Sequence, residues 1–185
     1  MKNFLMDKDN TVLVGIDFQE KLMPAMKNSD DVQDKTVKLI KGCRTLGIPM
    51  IFTQQYTKGL GMSTEKIQKA VTDKEFSWIE KSSFSAVGSP EFLDRLRAEG
   101  RNTVLMSGVE AHVCVLQTAI ELVEKGFNVY YVVDCMASRS DVDKEFALKR
   151  AIQSKIMLTT MESALFELLK GADKPGFKEI SKIVK

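Results

Sequence analysis

The sequence predicts an α/β fold in which a parallel β-sheet is covered by helices on both faces. Short apolar runs, each long enough for one buried strand, alternate along the chain with longer segments whose apolar residues recur at helical spacing. Right-handed crossovers join strands that alternate with helices in this way, and they make neighbouring strands parallel. The predicted strands are residues 12–17, 50–54, 77–79, 103–107, 129–134 and 156–159.

The helices are predicted from apolar periodicity and from the residues that stop a helix. Gly126 ends the periodic pattern that begins at His112, and Gly47 with Pro49 ends the first helix. Both stop signals lead directly into a predicted strand. For residues 54–70 the pattern predicts only a loop. The predicted helices are residues 31–46, 91–99, 112–125, 142–153, 161–170 and 177–184.

Length and charge favour a single domain over residues 1–185. A chain of 185 residues with 44% hydrophobic content can bury a sizeable core. The net charge is only +2, and basic residues occur in runs no longer than a pair, so neither nucleic acid nor a membrane is an expected partner. The first residues do not resemble a signal peptide, and no apolar stretch reaches the ~20 residues of a membrane span.

The three cysteines predict reduced thiols and a cytoplasmic location, because an odd number in a chain of this length does not suggest a disulfide framework. Cys43 falls inside a predicted helix, where packing in the core is the simplest role. Cys135 follows a predicted strand end, and a redox role together with Cys114 is a weaker alternative for it.

Cys114 lies in the first turn of the helix predicted to follow the strand at residues 103–107. Unpaired backbone N–H groups and the positive end of the helix dipole surround such a position, and they favour thiolate over thiol. This segment alone leaves two interpretations open, because free cysteines often serve only as small buried hydrophobic residues.

Two charged residues also follow predicted strands, and they favour the catalytic interpretation. Asp17 ends the first apolar run, and Lys81 follows the third. In an open parallel sheet, ligands bind outside the carboxyl ends of the strands, so Asp17, Lys81 and Cys114 are expected to converge there. Each would be unremarkable alone, since a strand-end aspartate is usually a turn residue and a lysine is usually solvated.

Three motifs carry a resemblance to a known family, the isochorismatase-like cysteine hydrolase superfamily. They are Ile-Asp-Phe-Gln at 16–19, Glu-Lys-Ser-Ser-Phe-Ser-Ala at 80–86 and Ser-Gly-Val-Glu-Ala-His-Val-Cys at 107–114. The resemblance covers nearly the whole chain. Residues 132–134, 138–140 and 176–180 look most like the branch of isochorismatase domain-containing proteins. The resemblance to the superfamily implies a three-layer α/β/α fold whose six-stranded parallel sheet has the order 3-2-1-4-5-6.

The resemblance also implies a catalytic triad of Asp17, Lys81 and Cys114. Cys114 would attack a carbonyl carbon, Asp17 would take the thiol proton and later deliver it to the leaving group, and Lys81 would hold both anions in place. A cis peptide bond between Val109 and Glu110 would turn the Glu110 N–H toward the site. Together with the Cys114 N–H it would form the oxyanion hole.

The sequence departs from other members of the superfamily in its histidines and keeps the nucleophile. Members that use a metal supply an aspartate and two histidines for it, and this chain has a single histidine, His112, so we expect no metal or other cofactor. His112 could line the pocket, carry a proton or serve a structural role. True isochorismatases hydrolyse a vinyl ether and typically lack the cysteine, so Cys114 favours hydrolysis of an amide or a related acyl compound.

Aromatic and polar side chains near the strand ends are candidates for the substrate pocket. They would suit a small substrate that is flat or partly apolar, although aromatic residues at such positions are also ordinary core. Gln19 is the strongest candidate, because it lies one strand period from Asp17. The candidate substrate-binding residues are Phe18, Gln19, Leu22, Tyr56, Trp78, Phe84 and His112.

Other functions remain as alternatives to a metal-independent cysteine hydrolase of a small molecule. A nucleotide-binding domain is disfavoured, because the turn at residues 17–21 has no glycine to admit a pyrophosphate. A vinyl ether hydrolase of the isochorismatase type is a second alternative. A catalytically silent interaction protein of the same fold is a third. A homo-oligomer is expected by analogy with the family.

Overall fold

The computed structural model describes residues 5–71 and 76–185. Within these residues, six strands form one parallel sheet in the order β3-β2-β1-β4-β5-β6, which confirms the predicted fold class and strand order. The strands are β1 (Thr11–Ile16), β2 (Met50–Gln55), β3 (Ile79–Lys81), β4 (Thr103–Val109), β5 (Asn128–Ala137) and β6 (Met157–Thr159).

Helices cover both faces of the sheet and divide the apolar interior into two cores. Helices α1, α3, α7 and α8 pack on one face, and α4, α5 and α6 pack on the other. No helix in the described part of the chain is long and apolar enough to cross a membrane. The helices are α1 (Ser29–Thr45), α2 (Thr57–Leu60), α3 (Glu65–Val71), α4 (Pro90–Ala98), α5 (Leu116–Glu124), α6 (Asp141–Gln153), α7 (Met161–Leu169) and α8 (Phe177–Val184).

The two central strands, β1 and β4, are buried along their whole length. Their close approach requires glycine at one position. Gly108 has φ +135, and a Cβ atom there would lie 2.4 Å from the carbonyl oxygen of Ile16 on β1. A side chain would therefore push the strands apart at the point where β4 leads into the turn that carries Cys114.

The structure differs from the predicted elements mainly between β2 and β3. The segment predicted as a loop contains two short helices, α2 and α3. Strand β5 is also longer than predicted, and its register against β4 shifts between Met106 and Gly108. These differences leave the carboxyl ends of β1, β3 and β4 on the same edge of the sheet, as all six strands are parallel.

Candidate active site

Asp17 is the first residue after β1, and its side chain is completely buried. The residue has φ 52, a left-handed conformation that aspartate tolerates better than most side chains. Its Oδ1 accepts a hydrogen bond from the hydroxyl of Thr53 on β2 at 2.7 Å. Its Oδ2 lies 2.6 Å from the Nζ of Lys81. The turn therefore delivers a carboxylate into the interior, and two neighbouring strands hold it there.

Lys81 is the last residue of β3, and its side chain is also completely buried. Besides the Asp17 carboxylate, its ammonium donates to Gln55 Oε1 at 2.6 Å and to the carbonyl oxygens of Phe84 at 3.0 Å and Ser83 at 3.3 Å. A buried charge is tolerated only when it is paired and its remaining protons are satisfied. This lysine meets both conditions, so Asp17 and Lys81 form a fixed ion pair.

Cys114 lies beside this ion pair, in a π-helical turn that precedes α5 and spans Ala111–Val115. Its thiol is within hydrogen-bonding reach of both charged groups. Burial and then the negative charge of Asp17 raise the pKa of the Cys114 thiol to about 12, against the opposing effect of the Lys81 ammonium. The expectation that the helix start would favour thiolate is therefore wrong. Desolvation of the largely buried sulfur is the largest cause of the raised pKa.

Thr118 joins the nucleophile turn to the segment that follows Lys81. Its hydroxyl donates to the carbonyl oxygen of Cys114 at 2.6 Å and accepts a hydrogen bond from the Ala86 N–H at 2.9 Å. One turn further along α5, Glu121 accepts a hydrogen bond from the hydroxyl of Ser85 at 3.0 Å. These residues were not predicted from the sequence. The only signal for Thr118 is its spacing of four from Cys114, which puts its hydroxyl near that carbonyl.

The turn between β4 and Cys114 makes contacts outside the ion pair. The peptide bond between Val109 and Glu110 is cis. The Glu110 carboxylate accepts a hydrogen bond from Arg139 Nε at 2.9 Å. The Nδ1 of His112 lies 3.0 Å from Ser138 Oγ, and its Nε2 lies 3.9 Å from a carboxylate oxygen of Asp143. His112 is thus tied to the segment after β5.

Gln19 has a structural task in place of the predicted contact with substrate. Its side-chain NH₂ donates to the carbonyl oxygens of Gln55 at 2.9 Å and Gly61 at 2.7 Å. Its Oε1 accepts from the Gln55 N–H at 2.6 Å. The amide is completely buried, and its hydrogen bonds go to main-chain atoms. These bonds fix the segment after β2 against the turn after β1.

The predicted aromatic wall divides into core and surface residues. Phe18 and Trp78 pack on Phe52 with ring centroids 6.5 and 5.7 Å apart. Leu22 is partly buried against the same core. Packing in the interior outweighs proximity to the strand ends for these three residues. Tyr56 and Phe84 are 54% and 58% exposed, so they remain candidates for substrate contact.

No metal site is apparent in the described ranges. Among residues 5–71 and 76–185, no group of three or more His, Cys, Asp or Glu side chains could hold a metal ion.

Comparisons with known proteins identify a consistent set of relatives. A family model described as the isochorismatase domain matches residues 11–163. The chain is 40% identical over 171 residues to isochorismatase domain-containing protein 1 of Danio rerio, covering 91% of this chain and 59% of that relative. It is 36% identical over 181 residues to isochorismatase domain-containing protein 2 of Danio rerio, covering 94% of this chain and 86% of that relative.

A solved structure is similar over nearly the whole chain. The structure of the MAR1 ribonuclease from Caenorhabditis elegans has a TM-score of 0.92 and 37% sequence identity, covering 97% of this chain and 92% of that one. The curated relatives include longer proteins. The chain spans only about three fifths of the length of two of them, at 59% for the Danio rerio protein and 61% for a Salmo salar protein of the same name.

Proposed function

The chain belongs to the isochorismatase family of hydrolases, and from that premise we propose that it is a metal-independent cysteine hydrolase of a small amide or a related acyl compound. The observation that carries this proposal is the buried ion pair of Asp17 and Lys81 beside the Cys114 thiol. Burial of a charged pair costs free energy that apolar residues of similar size would not. A chemical role explains why such a pair lies beside a thiol.

In the first half of the reaction, Cys114 becomes acylated. Its raised pKa makes it a neutral thiol near pH 7, so a base must take the proton as sulfur attacks. Asp17 accepts that proton while the sulfur bonds to the carbonyl carbon, and the C=O electron pair moves onto oxygen. Collapse of this intermediate breaks the C–N bond. The leaving amine takes the proton back from Asp17, which leaves a thioester on Cys114.

In the second half, water hydrolyses the thioester. Asp17 takes a proton from the water as its oxygen attacks the carbonyl carbon. The second intermediate then collapses, the C–S bond breaks, and the proton on Asp17 returns to the sulfur. The product is a carboxylic acid, and Cys114 and Asp17 return to their starting states. Lys81 keeps the Asp17 carboxylate in position throughout and stabilises negative charge on sulfur as it develops.

The negative charge on the substrate oxygen needs its own donors. We assign these to the backbone N–H groups of Glu110 and Cys114, at the two ends of the turn after β4. A preorganised donor of this kind stabilises the transition state by about 3–4 kcal/mol. The exposed rings of Tyr56 and Phe84 are assigned to the rim of the substrate pocket.

The proposal is tested with a panel of small amides and ureido compounds, with release of ammonia or amine as the readout. We expect turnover that depends on Cys114, and an acyl adduct on that residue when the activated ester p-nitrophenyl acetate is used. Asp17→Asn should slow turnover by about 10²- to 10⁴-fold, because it removes the base. A loss smaller than about tenfold, ~1.4 kcal/mol in activation free energy, would remove Asp17 from that role.

Two alternatives differ in how they respond to the loss of the thiol. A vinyl ether hydrolase would use Asp17 as an acid, so its activity should survive in Cys114→Ala. A silent interaction protein would hydrolyse nothing in the panel and form no adduct. For a silent interaction protein, the burial of three polar groups together would need another explanation.

RNA hydrolysis is the second candidate function, because the Caenorhabditis elegans relative is named a ribonuclease. The balanced charge of this chain, +2 overall, gives little electrostatic support for binding a phosphate backbone. A fluorescent RNA incubated with the protein and with Cys114→Ala distinguishes the candidates. We expect no cleavage; RNA cleavage that is lost in Cys114→Ala would favour the ribonuclease and place its chemistry at the same site.

The remaining expectations concern assembly and location. We propose a homo-oligomer, by analogy with the family, and a cytoplasmic location, from the three free cysteines. Light scattering of the purified protein tests the first, and a monomer would contradict it.

A further inference from the structure

The segment Ser138-Arg139-Ser140 follows β5 and takes no part in the chemistry proposed above. It nevertheless touches the nucleophile turn at two residues. Arg139 Nε donates to the Glu110 carboxylate at 2.9 Å, and Ser138 Oγ lies 3.0 Å from His112 Nδ1. Glu110 and His112 come four and two residues before Cys114. Two contacts from one neighbouring segment thus flank the turn that leads to the nucleophile.

The segment is itself well anchored. Ser138 is only 1% exposed, and its carbonyl oxygen accepts a hydrogen bond from the backbone N–H of Lys27 at 3.0 Å. Just before it, the carbonyl oxygen of Met136 accepts from Lys144 Nζ at 2.7 Å. The segment is therefore fixed both to the chain before α1 and to α6. It can act as a rigid support for the turn.

The exposure of the two charged side chains differs in a way that bears on their role. The Glu110 side chain is 13% exposed, and that of Arg139 is 64% exposed. An ion pair with one partner this accessible contributes little to stability. A role in placing the Glu110 main chain explains the contact better than a role in stabilising the fold.

We propose that Arg139 is a positioning residue, which holds the turn so that the Glu110 N–H meets the oxygen of the tetrahedral intermediate. The inference rests on the proposed function, because it concerns the oxyanion hole assigned there. A donor serves only if it lies about 2.7–3.1 Å from the position of the oxyanion. A displacement of about 1 Å can cost a hundredfold in rate.

The inference is tested with two reagents that both react with the sulfur of Cys114. Acylation of Cys114 by p-nitrophenyl acetate passes through an oxyanion and needs the Glu110 N–H. Alkylation by iodoacetamide is a displacement at a saturated carbon and forms no oxyanion. We expect Arg139→Ala to slow acylation by about 10- to 100-fold and to change alkylation by less than about twofold. A role in general integrity of the site would slow both reactions.

Two further variants make the test specific. Arg139→Lys keeps a cation within reach of Glu110 and should recover part of the acylation rate. Lys149→Ala removes an exposed ion pair with Glu145 within α6 and should leave both rates unchanged. Thermal melting of each variant shows whether the fold is intact.

The outcomes separate this inference from the function on which it rests. If Cys114 of the wild-type protein is alkylated by iodoacetamide but is never acylated by p-nitrophenyl acetate, the proposed function fails and the inference fails with it. If the wild-type protein is acylated and Arg139→Ala behaves identically, only the inference is overturned. Equal losses in both reactions, or no recovery in Arg139→Lys, would also overturn it.

Discussion

The two faces of the sheet bury cysteines in different surroundings. Cys114 lies in the core formed with α4, α5 and α6, and Cys43 and Cys135 lie in the core formed with α1. Burial raises the pKa of all three thiols, to about 12 for both Cys43 and Cys114. For Cys43, burial is the whole cause. Only Cys114 has a fully buried carboxylate and ammonium within reach of its sulfur.

The comparison shows that the acidity of the thiol does not distinguish the candidate nucleophile. Cys114 would be as inert as Cys43 if its pKa alone decided its reactivity. What differs is a base placed to take its proton and a cation placed to stabilise the resulting anion. Reactivity at this site therefore belongs to Asp17, Lys81 and Cys114 as a unit.

The largest difference between the cysteines on the two faces is expected in the turnover of their alanine variants. Cys114→Ala should abolish hydrolysis of any amide that the protein accepts, because no thioester can form. Cys43→Ala is the matched control, a buried cysteine on the other face, and should retain turnover in the fraction that folds. Steady-state rates measured on both variants, corrected for folded protein, make the comparison. Turnover that persists in Cys114→Ala would contradict the mechanism.

The next effect is expected in stability. Lys81→Met leaves the Asp17 carboxylate buried without its partner, and breaking a buried pair costs about 3–5 kcal/mol in the free energy of unfolding. Lys35→Met is the control from α1. Lys35 pairs with Asp31 at 3.2 Å, and both side chains are partly exposed, so its loss should cost less than about 1 kcal/mol. Urea denaturation measures the free energy of unfolding of both variants. Equal losses would show that the buried ion pair contributes no more to stability than the exposed one.

The smallest effect is expected from two buried threonines that make the same local contact. The Thr118 hydroxyl donates to the carbonyl four residues earlier, and so does that of Thr36 in α1, at 2.7 Å. Thr118→Val also leaves the Ala86 N–H without its acceptor, so it should cost about 1–3 kcal/mol, against about 1 kcal/mol for Thr36→Val. Denaturation curves should rank the variants in that order; the reverse order would mean that the contact with Ala86 contributes nothing.

Most of the fold could be predicted from the sequence because the apolar runs are long and their periods are clear. Helices α2 and α3 were missed because they are too short to show a period. Helix α2 has four residues, one of them a glycine. Helix α3 has seven, and only Ile67, Ala70 and Val71 mark its buried face. Their positions depend on packing against the rest of the molecule, which the sequence pattern does not contain.

The candidate site was predicted unevenly, for a similar reason. Asp17 and Lys81 could be placed because strand ends meet at one edge of a parallel sheet. The acidity of Cys114 could not, because it depends on how deeply the sulfur is buried and on the charge beside it. Gln19 was assigned to the substrate pocket because the sequence shows its spacing from Asp17. Its backbone partners at residues 55 and 61 belong to a segment whose path the sequence does not predict.

One measurement tests most directly whether Asp17, Lys81 and Cys114 act as a unit: the rate of iodoacetamide alkylation of Cys114 from about pH 7 to about pH 10.5, by peptide mass mapping, in the wild type and in Asp17→Asn. Thiolate is the reactive form, so the wild-type rate should rise about tenfold per pH unit without a plateau. The Asp17 carboxylate raises the pKa of the thiol and the Lys81 ammonium lowers it. Asp17→Asn should therefore lower the apparent pKa of Cys114 and shift its alkylation profile to lower pH.

Cys43 and Cys135 provide internal controls in the same digest, and their profiles should not change with the substitution. A Cys114 profile that is identical in the two proteins would contradict the account, because it would mean that the carboxylate does not act on the sulfur. Cys114 would then be a packing residue like Cys43.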